Sequence, residues 1–160
     1  MPEAFDRVKS QIGACGIWCG SCAVGNGSLR ELSRRFEEVL EGHGVGEWAP
    51  PELDYPAFAR GLAAIREIAS CPGCRNYGGR EDCEMRACTA GRGLSECVGC
   101  GEQATCPHAE ILQHMRTGAR DAGLFVKTEN VDAQELLPEW TRRLKTQWPS
   151  CVLFLDKPGR

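Results

Sequence analysis

The sequence predicts a small, mainly α-helical domain whose middle is an irregular segment rich in glycine and cysteine. Three observations predict it. The 160 residues, 42% hydrophobic and 26% charged, have the length and balance of one globular domain. Apolar residues recur at helical spacing on both sides of the middle segment. Residues 71–106 hold seven of the eleven cysteines, yet their only large aliphatic residues are Met85, Leu94 and Val98. The domain then reads as a cysteine-rich core at 15–107, with helices inserted at 28–70, followed by a C-terminal helical segment at 107–160.

Residues 1–27 read as an irregular, Gly-rich opening that contains CGIWCGSC. A first helix starts at Ser28, where Ser28-x-x-Glu31 has the form of a capping box. Leu29, Leu32, Phe36, Val39 and Leu40 give it one apolar face, and Gly42 and Gly44 end it. A second helix follows Asp54, with Pro56 in its first turn and Phe58, Leu62, Ile65 and Ile68 as its buried stripe. A third runs from about Pro107 through Ile111, Leu112 and Met115. A fourth carries Leu137, Trp140, Leu144 and Trp148, and Pro138 belongs in its first turn, because an interior proline costs about 3 kcal/mol. The aromatic residues of this stripe are expected to pack in the core. Residues 151–155, CVLFL, fit either a strand or a buried tail, with Cys151 as a buried free thiol.

The middle segment has too few aliphatics to order itself by burial, so something else must hold it. The cysteine spacing points to metal. Cys71-x2-Cys74-x8-Cys83-x4-Cys88 and Cys97-x2-Cys100-x5-Cys106 follow the upstream Cys15-x3-Cys19-x2-Cys22. A C-x2-C pair forms a tight turn that presents two sulfurs to one tetrahedral ion. All three such pairs here contain glycine: Cys19-Gly-Ser-Cys22, Cys71-Pro-Gly-Cys74 and Cys97-Val-Gly-Cys100. The opening sixteen residues carry early acids and no apolar stretch of signal-peptide type, so a reducing, cytoplasmic location is expected. There, such spacing indicates metal ligands before disulfides, and the odd cysteine count agrees.

Ten cysteines are therefore the candidate metal ligands: Cys15, Cys19, Cys22, Cys71, Cys74, Cys83, Cys88, Cys97, Cys100 and Cys106. Cys71, Cys74, Cys83 and Cys88 could close one four-sulfur site. The remaining six suit one further site with two spare thiols, or a thiolate-bridged pair of ions. Either arrangement folds the N-terminal cysteines back onto the middle segment. His108 is read as a first-turn surface histidine rather than a ligand. Zinc is the expected ion, with an iron–sulfur cluster as the alternative, since all-thiolate ligation suits both.

The blocks CGIWCGSC, CPGCRNYGG, CEMRAC and CVGCGEQATCP resemble, in order, the hallmarks of the cysteine-rich domain-of-unknown-function family DUF3795. That family runs CGxxCGxC, CxGCRxGGG, CxIRxCA and CxxCxxxPC. The resemblance covers residues 15–107. Met85 stands where the family usually has isoleucine, and Thr105 and Pro107 flank Cys106 where proline usually precedes the cysteine. The resemblance implies metal binding through the same ten cysteines and supplies no catalytic residue.

Other functions are narrowed by composition. The formal net charge is −3, and thiolates around an ion add negative charge. Residues 71–106 carry Arg75, Arg80, Arg86 and Arg92 against Glu81, Asp82, Glu84, Glu96 and Glu102. A nucleic-acid reader needs a positive surface there, so nucleic acid is not an expected partner. No run approaches the roughly 20 apolar residues of a membrane span. The C-x3-C-x2-C of residues 15–22 matches the spacing of radical S-adenosylmethionine enzymes, but Ser21 replaces their aromatic residue and no repeated strand–helix units accompany it. A thiol-based sensor or enzyme using a surplus cysteine is the remaining class. No catalytic constellation is legible.

Overall fold

The computed structural model describes residues 3–155. It is mainly helical, as the periodicity predicts. Eight α-helices follow in order: α1 (Glu3–Val8), α2 (Ala23–Asn26), α3 (Ser28–Gly42), α4 (Val45–Trp48), α5 (Tyr55–Arg66), α6 (Glu84–Gly91), α7 (Ala109–Asp121) and α8 (Ala133–Leu144). Among the described residues there is no strand, only two isolated antiparallel bridges, Ile12 with Trp18 and Ile17 with Val126.

The N-terminal segment is more regular than its glycines suggest, because α1 and α2 lie within it. Phe5 and Val8 of α1 are fully buried. Phe5 joins a core built from Ile12, Trp18, Phe125, Trp140, Leu144 and Leu153. Trp18 is its hub. Its ring centroid lies 5.8 Å from both Phe125 and Trp140, and Phe125 and Trp140 stack at 5.7 Å. Such aromatic pairs add about 0.5–1.5 kcal/mol each beyond the area they bury.

Helix α3 does not begin with a capping box. Its cap is Gly27, in the left-handed region at φ 84°, and Ser28 is the first helical residue. Buried Asn26 takes over the work: its Oδ1 accepts from Ser28 N at 2.9 Å, and its Nδ2 donates to Gly20 O at 2.9 Å. Glu31 instead receives Arg34 and Arg35, which hold its carboxyl below the usual range. Helix α5 starts as the sequence indicates, with the Asp54 carboxylate accepting from Ala57 N at 2.9 Å.

The apolar stripes of α3 and α5 face one another but are only half covered. Phe36 meets Phe58 edge to face at 6.3 Å, while Phe36, Val39, Ile65 and Ile68 stay exposed. The reason is local: this hairpin packs chiefly on itself, so each stripe has one partner instead of a surrounding core. In α8, Trp140 and Leu144 are buried as expected, but Trp148 lies beyond the helix and is 70% exposed.

Pro138 sits inside α8 rather than in its first turn. The helix survives the lost backbone bond because Asp132 caps its start, accepting from Gln134 N at 2.8 Å, and because Trp140 and Leu144 anchor it beyond the proline. Residues 150–154 form a 3-10 helix, neither strand nor simple tail, with Val152 and Leu153 buried. Cys151 is only half-buried there, since its neighbours take the inward positions.

Candidate metal centre

The first cysteine block is anchored by its tryptophan. In Cys15-Gly-Ile-Trp-Cys19, Trp18 is fully buried and its Nε1–H donates to Lys9 O at 2.9 Å. Gly20 lies against the indole: a Cβ there would sit 2.5 Å from the ring. Ser21 Oγ donates to Trp18 O at 2.7 Å and accepts from Phe125 N at 3.1 Å. The bridge to the C-terminal segment continues with Lys127 N donating to Gly16 O at 2.8 Å. The turn that carries Cys19 is thus fixed to the helical core by its intervening residues. Trp18 has no part in the cysteine spacing; its signal in the sequence is that it is the only large aromatic among the small residues of this block.

The second block is held from two sides. Gln11, buried, donates through Nε2 to Arg7 O at 2.7 Å and to Pro72 O at 3.1 Å. Gly73 adopts φ 91°, and a Cβ at that position would fall 2.2 Å from Gln11 Oε1, so both backbone and space demand glycine. On the other side Arg86, from α6, reaches back over the loop. Its Nη1 donates to Gly78 O at 3.0 Å and Cys74 O at 3.4 Å, and its Nη2 to Arg80 O at 2.6 Å and Glu81 O at 3.1 Å. One planar guanidinium with five donors can gather four carbonyls in this way, whereas an ammonium cannot. This is what the arginine of the CEMRAC block does.

These supports bring the N-terminal and middle cysteines together. Cys74 N donates to Cys19 Sγ at 3.5 Å. The sulfur of Cys74 lies beside Gly13, and the sulfur of Cys71 beside Gly78. Cys19 is close enough to Cys74, Cys71 and Cys15 to feel their charge, and Cys15 likewise feels Cys74 and Cys83. The first group is therefore Cys15, Cys19, Cys71 and Cys74, with Cys83 at its edge and Cys97 near Cys15 as well.

A second group includes Cys88 of α6. Cys88, Cys97, Cys100 and Cys106 line one cavity of about 160 Å3, together with Met85, Leu94, Leu112, Arg92, Arg116 and His108. The turn at Cys97–Gly99 is placed by Cys97 N donating to Ala14 O at 2.8 Å and by Gln103 Nε2 donating to Val98 O at 2.9 Å. Next to it, Glu96 and Lys127 form a buried ion pair, with Nζ 3.0 and 3.2 Å from the two carboxylate oxygens. Cys88 thus belongs with the later cysteines and not with Cys71, Cys74 and Cys83. Cys83 is the N-cap residue of α6, whereas Cys88 lies within the helix.

Cys22, at the start of α2, and Cys151 are tied to neither group among the described residues. His108 is at the N-terminal cap of α7 rather than in its first turn, and its Nδ1 lies 2.9 Å from Glu84 Oε2 at the cavity wall.

Burial pushes the Cys19 thiol up to about 11, and the nearby Cys74, Cys71 and Cys15 add to the effect. Burial likewise raises Cys97 to about 11, against the opposing pull of Arg116. Cys15 moves in the same direction, again by burial. Without a cation these thiols stay protonated at neutral pH, the reverse of a reactive thiolate. Two cations already face the second group. Arg116 donates from Nε to Cys15 O at 2.8 Å while its buried Nη2 has no hydrogen-bond partner. Arg92 Nη1 lies 3.9 Å from Cys100 Sγ and 2.6 Å from Glu102 Oε2.

None of the eleven cysteines is in a disulfide. Among the described residues no three His, Cys, Asp or Glu side chains converge closely enough to hold a single ion. The donor set is soft sulfur, the type that suits a thiolate-bound metal, and one buried N–H beside the second group, Arg116 Nη2, has no partner.

The model of the family described as Protein of unknown function (DUF3795) matches residues 11–111. The chain belongs to this family. No curated protein and no solved structure matches it. The DUF3795 match spans both cysteine groups and α3 to α6, and ends within α7. Trp140, Leu144 and Lys127, which complete the core and the Glu96 pair, come from outside it. No described helix is long and apolar enough to cross a membrane.

Proposed function

We propose that the chain is a metal-binding protein of the reducing cytoplasm, whose cysteines hold ions that keep its middle third folded. Zinc is the ion for the first group, Cys15, Cys19, Cys71 and Cys74. The observation that carries this reading is the approach of two C-x2-C pairs, with the amide of Cys74 donating to the sulfur of Cys19, 55 positions away, at 3.5 Å. Amide-to-sulfur hydrogen bonds of this kind favour the thiolate a metal requires. Zinc bound by four thiolates supplies no redox chemistry; it supplies folding energy, of order 10–16 kcal/mol per structural site in small peptides.

This reading makes the metal a staple between the Trp18 core and the loop gathered by Arg86. Both ends of the staple are rigid, because Gln11 and Ser21 fix the backbone on which the sulfurs stand. The excess of acids in residues 71–106 supports a partner other than nucleic acid. Elemental analysis of protein purified without added metal tests the proposal. Zinc at one or more equivalents, lost with strong chelator and lost in Cys19→Ser, is the expected result. Protein that stays folded without any bound metal would refute it.

A further inference from the structure

We infer that the free face of the α3–α5 hairpin is the docking surface for a second copy of this chain, with α5 crossing its counterpart antiparallel at Gly61. Helix α5, YPAFARGLAAIR, carries only two charges in its 12 residues, yet none of those residues is buried. A helix this apolar is normally covered on every side. Helix α3 covers one side and takes up one of the charges, since Arg66 pairs with Glu37. The other side is open. Ala57, Gly61, Ala64 and Ile65 are exposed, as is Ile68 just beyond the helix. Among the described residues, no atom comes within 4 Å of the space a Cβ on Gly61 would take. Arg60 stands about 100° round the helix from Gly61, so no charge of α5 interrupts this face.

The contact of Phe36 with Phe58 puts Phe36 and Val39 of α3 on the same side of the hairpin as Phe58 and Ile65 of α5. Ten large apolar side chains are exposed among the described residues, and six of them, Phe36, Val39, Trp48, Leu53, Ile65 and Ile68, belong to this hairpin and its connection. Two helices side by side, each about 10 Å across and about 20 Å long, present about 400 Å2 in plan. Accessible area exceeds plan area, so the face approaches the roughly 600 Å2 per partner at the lower end of standard interfaces. An uncharged face needs an uncharged partner, and this chain supplies one. About Gly61 the α5 sequence is self-complementary: Ala57 and Ile65 stand four residues to either side, and Phe58 and Ala64 three. In a two-fold antiparallel crossing at Gly61, each Ile65 lands on the Ala57 of the other copy and each Phe58 on its Ala64. The same patch then serves both copies, as a closed dimer requires, and glycine at the crossing lets the axes come close. No cysteine lies in residues 28–70, so the inference stands apart from the metal-binding reading.

The experiment is sedimentation velocity of the as-isolated full chain from about 1 to 100 μM, the weak end of affinities for interfaces of this size. A dimer that dissociates on dilution is the expected result. Ala57→Glu and Ile65→Lys, both at exposed positions, should each raise the dissociation constant at least about tenfold, with helical circular dichroism and metal content unchanged. In the chain carrying both substitutions, opposite charges meet across the two-fold, and the dimer should be tighter than that of either single variant. A parent chain that stays monomeric at the highest concentration overturns the inference and leaves the face to a different protein. A dimer indifferent to both substitutions overturns it by placing the contact elsewhere. Losses that merely add in the double variant overturn the crossing at Gly61.

Discussion

Lys127→Met tests how the second cysteine group is fastened to the rest of the molecule. The side chains of Lys127 and Glu96 are 8% and 9% exposed, and Nζ lies 3.0 and 3.2 Å from the carboxylate oxygens. Methionine matches the length of the lysine stem but leaves the Glu96 carboxylate buried and uncompensated. Removing one partner of a buried pair costs about 3–5 kcal/mol. For a chain of this size, 1 kcal/mol moves the Tm by roughly 2–4 °C, so a fall of about 6–20 °C is expected. Because Glu96 precedes Cys97, the strain reaches the turn at Cys97–Gly99 first, and the second group should lose its metal before the first. Glu96→Met combined with Lys127→Met removes both charges and should recover most of the loss. The assay is thermal unfolding of the as-isolated protein by circular dichroism, with metal content measured in parallel. A single variant within about 1 kcal/mol of the parent, well under the expected cost of a broken buried pair, would refute the reasoning.

Cys74→Ser should cost the first group its metal and unfold residues 71–106, because one site contributes about as much as the 5–15 kcal/mol that holds a typical domain; fast hydrogen exchange confined to that segment is the readout. Gly16→Ala places a Cβ 2.3 Å from Lys127 O at a φ of 92°, and the loss of at least about 2 kcal/mol from strain and backbone displacement should appear as a lower urea midpoint. Arg86→Lys keeps the charge but loses the fork that spans four carbonyls, so limited proteolysis should cut within residues 77–82 while the helical core stays intact.

What was readable in the residue order was whatever depends on near neighbours. The Asp54 cap of α5, the glycine end of α3 and the cysteine turns at 19–22 and 97–100 each involve residues within four positions, where propensity and geometry act directly. The capping box at Ser28 failed for an equally physical reason: Asn26 and Gly27 offer the helix a buried cap two residues earlier, and two arginines claim Glu31. The stripe of α3 was correctly periodic, yet periodicity records only which side is apolar and not how much of it a neighbour will cover.

The amino-acid sequence by itself determined that the chain is mainly helical, that its middle segment is poor in large aliphatic residues, and that ten cysteines recur in spaced blocks through residues 15–106. Only the tertiary structure decided which cysteines face each other. That choice rests on contacts far apart in the chain: Trp18 against Phe125 and Trp140, Gln11 against Pro72, Cys97 against Ala14. Sulfurs carry no label for their partners. The fold assigns them, through the long-range contacts that position the backbone on which they stand.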